Sequence, residues 1–165
     1  MSFVAVAWVT AIVVAAICAV LEAWLSGPRP FLLLASLQQP KWALPSWGWM
    51  VIGGVFYVIM TTAAATALRS GASGRPAFAL VVAVLLTDSF WNYLLFRCRR
   101  IDWAYSYLFP YAALVAGTTW AVFRLSHVAG MLVALYLAFL PYDMAWSRAL
   151  MRLNPNFPIK PGYPG

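Results

Sequence analysis

The sequence predicts an all-α integral membrane protein, a bundle of five transmembrane helices with a long first loop. Composition is the first reason: 64% of the 165 residues are hydrophobic and 9% are charged, whereas soluble domains have about 45–50% apolar and about 25% charged residues. The second reason is that several apolar runs reach the roughly 20 residues that a helix needs to cross a bilayer. The length fits one domain, which we take to cover residues 1–165.

The apolar runs define the expected spans in order. The first run has no basic segment before it, so it is interpreted as a span rather than a signal peptide. Short polar turns separate the later runs, and a segment rich in Pro and Gly follows the last one. The expected spans are at about 3–25, 47–68, 77–97, 103–124 and 128–152, with a flexible tail at 154–165.

The first loop, residues 26–46, contains several prolines that would break a continuous helix. Its middle part, 31–37, is too apolar for a solvated loop and too short to cross a bilayer. Such a segment is expected to fold back over the end of the bundle as a lid or re-entrant piece, where functional residues are often found.

The basic residues predict the orientation. The net charge is +7, which the positive-inside rule explains better than nucleic-acid binding. With five spans, three basic residues fall on the side of the N-terminus and eight on the other side, which holds the first loop and the tail. The N-terminus is therefore expected outside, and the first loop and the C-terminus in the cytoplasm. Two cysteines and one histidine, without ligand spacing, predict no metal site.

Two carboxylates fall within apolar runs, where a charge is costly unless it faces a bundle interior or a polar cavity. Asp88 shares a helix face with Trp91. Asp143 lies in an aromatic stripe with Tyr136 and Phe139. Three interpretations stay open: hydrogen-bonded structural groups, the lining of a pocket for an amphipathic ligand with a polar or cationic end, or an acid/base pair.

Two further charged residues bear on these interpretations. Arg148, just after Asp143, is a candidate ion-pair partner and favours the structural interpretation. Glu22, near the end of the first span, is either a carboxylate at the membrane surface or a pocket residue.

Nine tryptophans mostly fit an aromatic belt at the membrane interfaces. Trp42, Trp47 and Trp49, beside the first loop, are dense enough to form a stacking surface for a flat apolar ligand.

Residues 40–47 (Pro-Lys-Trp-Ala-Leu-Pro-Ser-Trp), Tyr57, Trp91 with Phe96, and Tyr136 with Arg152-Leu153-Asn154 occur in the order and spacing of one family. The chain resembles the translocator protein / tryptophan-rich sensory protein family (TspO/MBR). This resemblance implies five transmembrane helices and a first loop that closes over a pocket. It also implies binding of porphyrins, sterols or benzodiazepine-like drugs, commonly in a homodimer, with proposed roles in tetrapyrrole handling, transport and stress signalling.

Carrying the family pattern over implies that Trp103 contacts ligand and that Asp143 replaces a small ligand-contacting residue. Asp88 replaces a common asparagine. Gly53 and Phe139 stand where the family usually has tryptophans linked to porphyrin breakdown. Leu135 and Tyr93 replace prolines near Tyr136 and Trp91. The resemblance therefore implies a divergent branch in which porphyrin breakdown is not expected and the added acids favour a different ligand.

The sequence thus predicts a membrane receptor or transporter-like protein that binds a flat hydrophobic molecule in a pocket between helices. A tetrapyrrole such as porphyrin or heme, or a sterol or isoprenoid, is the expected ligand, and no cofactor is required. The alternatives are a membrane enzyme that uses Asp88 and Asp143 for acid/base chemistry on an isoprenoid or sterol-like lipid, and a structural subunit of a membrane complex. The expected partners are the lipid bilayer and the ligand, with no nucleic acid. The expected ligand-binding residues are Trp42, Trp47, Asp88, Trp91, Trp103, Tyr136, Phe139 and Asp143.

Overall fold

The computed structural model describes residues 2–155 and 157, and within them every regular element is helical. A 3₁₀ turn, Gly71–Gly74, precedes the fourth helix, and a π-helical turn, Tyr93–Arg97, follows it. The six α-helices are α1 (Phe3–Ser26), α2 (Pro30–Ser36), α3 (Ser46–Arg69), α4 (Arg75–Asn92), α5 (Ile101–Phe123) and α6 (His127–Leu153).

Four helical segments are long and apolar enough to cross a membrane: α1, α3, α4 with its flanking turns, and α6. They correspond to four of the five predicted spans. The predicted fourth span corresponds to α5, whose 23 residues suffice in length. Helix α5 is not among the four, and it contains three tyrosines, Pro110 and Asp102. Of the tail predicted at 154–165, all but residues 154, 155 and 157 lies outside the described part of the chain.

Residues at the helix ends explain where helices start and stop. The Ser2 hydroxyl accepts a hydrogen bond from the Ala5 N–H at 3.3 Å, and Ser126 caps α6 through the Ala129 N–H at 3.4 Å. Serine suits this position because its oxygen satisfies an N–H that has no partner within the helix. Gly27 ends α1 with φ +76°, a conformation that glycine adopts without strain.

Helix α1 packs against α3 and α4 through its small side chains. Ala7, Ala11, Ala15 and Cys18 recur every three or four residues and are buried. Small residues allow close approach of helices in a membrane. Most of the large apolar residues of α1 point away from the bundle and are exposed, as expected for a face that contacts lipid.

The first loop folds back on the bundle, as the sequence predicted for 31–37. Leu34 and Leu37 are buried in a cluster with residues of α5, α6 and the π-helical turn. The Trp146 indole N–H donates to Oε1 of Gln39 over 3.1 Å. Asn154 holds the backbone of Gln38 with two hydrogen bonds of 3.0 Å. The loop is therefore tied to the C-terminal half of α6 by both apolar and polar contacts.

Candidate functional site

A cavity of about 480 Å³ lies between the helices, beneath the first loop. Every α-helix contributes to its walls, α2 through Pro30, Phe31 and Leu34. The walls of the cavity are formed by Ala19, Glu22, Ala23, Ser26, Gly27, Pro30, Phe31, Leu34, Trp49, Met50, Ile52, Gly53, Phe56, Tyr57, Asp88, Trp91, Asn92, Phe96, Leu108, Tyr111, Tyr136, Phe139, Asp143 and Trp146.

Five of the eight residues predicted to bind ligand come together at this cavity. They are Asp88, Trp91, Tyr136, Phe139 and Asp143. They lie on α4 and α6, and the three- and four-residue spacing that linked them in the sequence does place them on inward faces. Their contact with a ligand stays a prediction.

The other three predicted residues lie outside the cavity walls. The Trp42 ring packs edge-on against Tyr142, with centroids 5.5 Å apart. Trp47 is 65% exposed at the start of α3. Trp103 is 54% exposed and lies beneath the Arg100 guanidinium, 4.3 Å from its ring centroid. These positions suit the surface and membrane interface, where tryptophan is common.

Glu22 is a cavity residue, which was one of the two alternatives that the sequence left open. Its Oε2 accepts a hydrogen bond from the Tyr57 hydroxyl at 2.6 Å, and its Oε1 accepts one from Asn92 Nδ2 at 3.2 Å. The sequence did contain an indication that Glu22 faces inward, because Glu22 follows Cys18 by four residues on the small-residue face of α1. The carboxylate thereby joins α1 to α3 and α4.

Asp88 is held between three helices. Its Oδ1 accepts a hydrogen bond from the Tyr111 hydroxyl at 3.1 Å and a longer one from the Tyr136 hydroxyl at 3.5 Å. The two hydroxyl oxygens are 2.9 Å apart and bond to each other. Asp88 thus both links α4, α5 and α6 and faces the cavity. Sequence reasoning missed Tyr111, because nothing in α5 marks which of its tyrosines faces α4.

Asp143 differs from the other two acids, since it is 7% exposed and its Oδ1 has no hydrogen-bond partner among the described residues. The candidate ion pair with Arg148 does not form among the described residues. Arg148 is exposed and borders a separate hollow at the surface with Pro40. Residues five apart on a helix lie on different faces, which explains the separation. Within the described chain, the ion pair that forms is Arg100–Asp102, at 2.6 Å.

Two more polar atoms are buried without a partner in the described residues: the indole nitrogen of Trp91 and the hydroxyl of Ser147. Buried polar groups nearly always have a hydrogen-bond partner. Trp91 and Asp143 both line the cavity, although these two unpaired atoms are themselves closed off from its open space.

Aromatic side chains make up ten of the 24 wall residues, and several were not predicted. Trp49, considered with Trp42 and Trp47 as a stacking surface, does line the cavity, and its ring lies 4.5 Å from that of Trp146. Phe56 packs on Tyr136 at 4.7 Å. The rings of each pair are tilted to one another by about half a right angle, and they offer aromatic contact area to an apolar molecule.

The described part of the chain has no group of three His, Cys, Asp or Glu side chains placed to hold a metal ion. What the cavity offers is therefore aromatic contact area, phenol hydroxyls and carboxyl groups. These are the elements of a binding pocket that orients a hydrophobic molecule through a few polar contacts.

Comparison with known proteins agrees with the resemblance in the sequence. The family model described as TspO/MBR family matches residues 4–152. The chain is also 30% identical over 123 residues to a tryptophan-rich sensory protein from Cereibacter sphaeroides, a match that covers 74% of this chain and 77% of that protein. This match and the apolar helices confirm the predicted family and membrane character. The chain therefore belongs to the TspO/MBR family of integral membrane proteins.

Proposed function

We propose that this protein is a membrane receptor or transport protein that binds a flat hydrophobic small molecule in the cavity between its helices. The observation that carries the proposal is the cavity itself. Its volume of about 480 Å³ lies within the range of about 300–1,000 Å³ common for small-molecule sites. A tetrapyrrole, a sterol or an isoprenoid belongs to the size and shape class that such aromatic walls accept.

The proposal includes an arrangement in the membrane. The five long helices α1, α3, α4, α5 and α6 span the bilayer, and the loop 27–45 with α2 acts as a lid. The N-terminus lies outside, and the lid and C-terminus lie in the cytoplasm, where most of the basic residues then fall. Two copies associate as a homodimer, in line with the family resemblance.

The role of ligand binding is sensing or transport. The Cereibacter relative carries the name of a sensory protein. In the present chain, α2 contributes walls to the cavity while the rest of the loop is fastened to α6. A ligand that contacts both the lid and the bundle would stabilise the closed conformation of the loop. The loop conformation at the membrane surface would then depend on whether ligand is bound.

Two neighbouring glycines of α3 provide the test. A Cβ at Gly53 or at Gly54 meets no other atom within 4 Å, but only Gly53 is in the cavity wall, and Gly54 is exposed. Leucine at Gly53 therefore fills the cavity without disturbing the helices, and leucine at Gly54 is the matched control. Both variants should fold like the wild type.

The measurement is quenching of tryptophan fluorescence, since Trp49, Trp91 and Trp146 line the cavity. Protein in lipid nanodiscs is titrated with protoporphyrin, heme, a sterol and the neutral hydrocarbon pyrene. At least one ligand should bind the wild type and Gly54→Leu alike, and bind Gly53→Leu about tenfold or more weakly. Equal binding by all three proteins for every ligand would place any binding outside the cavity and overturn the proposal.

A further inference from the structure

The walls of the cavity are rich in acidic side chains, whereas the chain as a whole is basic. The chain carries 11 Lys and Arg against four Asp and Glu. Three of the four acids, Glu22, Asp88 and Asp143, line the cavity, and none of its 24 wall residues is Lys, Arg or His. The fourth acid, Asp102, is outside the cavity and is paired with Arg100.

One arginine lies beside the cavity wall and forms no ion pair among the described residues. Arg97 lies against Gly27 at the edge of the cavity, with its guanidinium carbon 6.0 Å from the centroid of the Trp24 ring. No ion pair joins it to Glu22 in the described structure. The cavity acids thus have hydrogen-bond donors at Glu22 and Asp88 but no ion-pair partner among the described residues.

Asp143 adds an independent observation. It is more than nine-tenths buried, it lines the cavity, and its Oδ1 has no partner among the described residues. Burial of an ionised carboxylate without a partner is costly. A cationic group bound in the cavity would remove that cost and would also relieve the repulsion among the three carboxylates.

The aromatic walls suit the same kind of ligand. The faces of Trp and Tyr rings attract cations, most strongly when water is excluded. Trp49, Trp91 and Trp146 are all in the wall. An acid together with surrounding aromatic faces is the chemistry that recognises a protonated or quaternary nitrogen on a hydrophobic frame.

We propose that the cavity selects flat hydrophobic molecules that carry a positively charged nitrogen, and disfavours those that carry a carboxylate. Asp143 and Glu22 supply the negative charge, and the aromatic walls hold the frame. This inference rests on the proposed function, since it concerns the ligand of the same cavity. Within the size and shape class of the proposed function, it sets a preference for hydrophobic organic cations over neutral and anionic molecules.

Three pyrene derivatives of similar shape test the inference. Trimethyl(pyren-1-yl)ammonium and 1-tert-butylpyrene differ in charge but scarcely in size, and pyrene-1-carboxylate supplies the opposite charge. Binding is followed by energy transfer from tryptophan to pyrene in phosphatidylcholine nanodiscs, with empty nanodiscs subtracted. Affinities are expressed relative to the lipid-bound concentration of each probe, measured with empty nanodiscs, so that probes as well as variants can be compared.

The cationic probe should bind the wild type about tenfold or more tightly than the neutral one, and the carboxylate should bind weakest. Asp143→Asn should weaken binding of the cationic probe about fivefold or more and change binding of the neutral probe by less than about twofold. Glu22→Gln is a second, independent variant with the same expected pattern. Asp102→Asn, which removes the acid outside the cavity, should leave the affinity for both probes unchanged.

The result that overturns the inference is equal affinity for the cationic and neutral probes, or equal loss of both in the acid variants. If Gly53→Leu still weakens the neutral probe in that case, the proposed cavity function stands without the charge preference. If Gly53→Leu weakens neither probe, the cavity is not the binding site, and both the function and the inference fail.

Discussion

The Tyr57 hydroxyl donates a hydrogen bond of 2.6 Å to Oε2 of Glu22, and this contact joins α3 to α1 at the wall of the cavity. Tyr57→Phe removes the donor and leaves a half-buried carboxylate with Asn92 as its remaining recorded partner. Hydrogen bonds to charged groups contribute about 1.5–3 kcal/mol. We expect a lower free energy of unfolding by about that amount, measured by denaturant unfolding in detergent.

The control for this prediction is Tyr105→Phe, because no hydrogen bond of the Tyr105 hydroxyl is recorded in the described chain. It should leave unfolding unchanged. Equal stability of Tyr57→Phe and Tyr105→Phe would show that the Glu22 contact does not hold α1 in place.

Asp88 and Asp143 should respond in opposite directions to replacement by leucine. Asp88→Leu removes the acceptor of the Tyr111 hydroxyl and should lower the free energy of unfolding by about 1–3 kcal/mol. Asp143→Leu removes a buried carboxylate whose Oδ1 has no described partner and should raise the stability of the ligand-free protein by a comparable amount.

Thermal unfolding of both variants without ligand checks this contrast. Asp143→Leu should also lose the preference for a cationic ligand, because it removes the carboxylate that attracts the cation. A gain in stability together with a loss of binding is common when a residue of a binding site is replaced. A loss of stability in Asp143→Leu as large as in Asp88→Leu would mean that Asp143 has a structural partner after all.

The first loop should open faster when its fastening to α6 is removed. Asn154→Ala deletes two hydrogen bonds to the backbone of Gln38. Ligand should then dissociate several-fold faster, as measured by stopped-flow fluorescence after mixing with a competitor. Gln38→Ala is the matched control, because its backbone and not its side chain makes these bonds. Unchanged dissociation in Asn154→Ala would argue against the loop as a lid.

The first turn of α6 should tolerate no side chain at Gly130. A Cβ there would overlap the ring of Phe123, whereas a Cβ at Gly117 in α5 meets nothing within 4 Å. Gly130→Ala should lower the free energy of unfolding by about 1–3 kcal/mol through overpacking. Gly117→Ala should be neutral or slightly stabilising, since alanine favours helix over glycine. Unfolding curves that rank the two variants the other way would contradict this packing.

Much of the candidate site followed from helical periodicity. Asp88 with Trp91, and Tyr136 with Phe139 and Asp143, fall on common helix faces in the sequence, and all five line the cavity. The family pattern was a poorer guide to geometry for Trp103, which lies on the exposed side of α5. Periodicity shows which residues share a face of one helix, but it does not show which other helix packs against that face.

The pairing of Arg148 with Asp143 failed for a related reason. Proximity in the chain favoured it, but the helix turns Arg148 toward the surface and Asp143 inward. By contrast, the hydrogen-bond partners of Glu22, Tyr57 and Asn92, lie 35 and 70 residues away in the sequence. No local pattern specifies a contact between helices so distant in sequence.

The sequence by itself determined that this is a helical membrane protein and which family it belongs to. Those properties follow from the hydrophobicity and length of single segments and from the order of a few residues. Only the tertiary structure decided that Glu22, Asp88 and Asp143 surround one aromatic cavity while the basic residues stay out of its walls. The physical reason is that the packing of helices against one another fixes their relative rotation, and that rotation decides which polar side chains share an enclosed space.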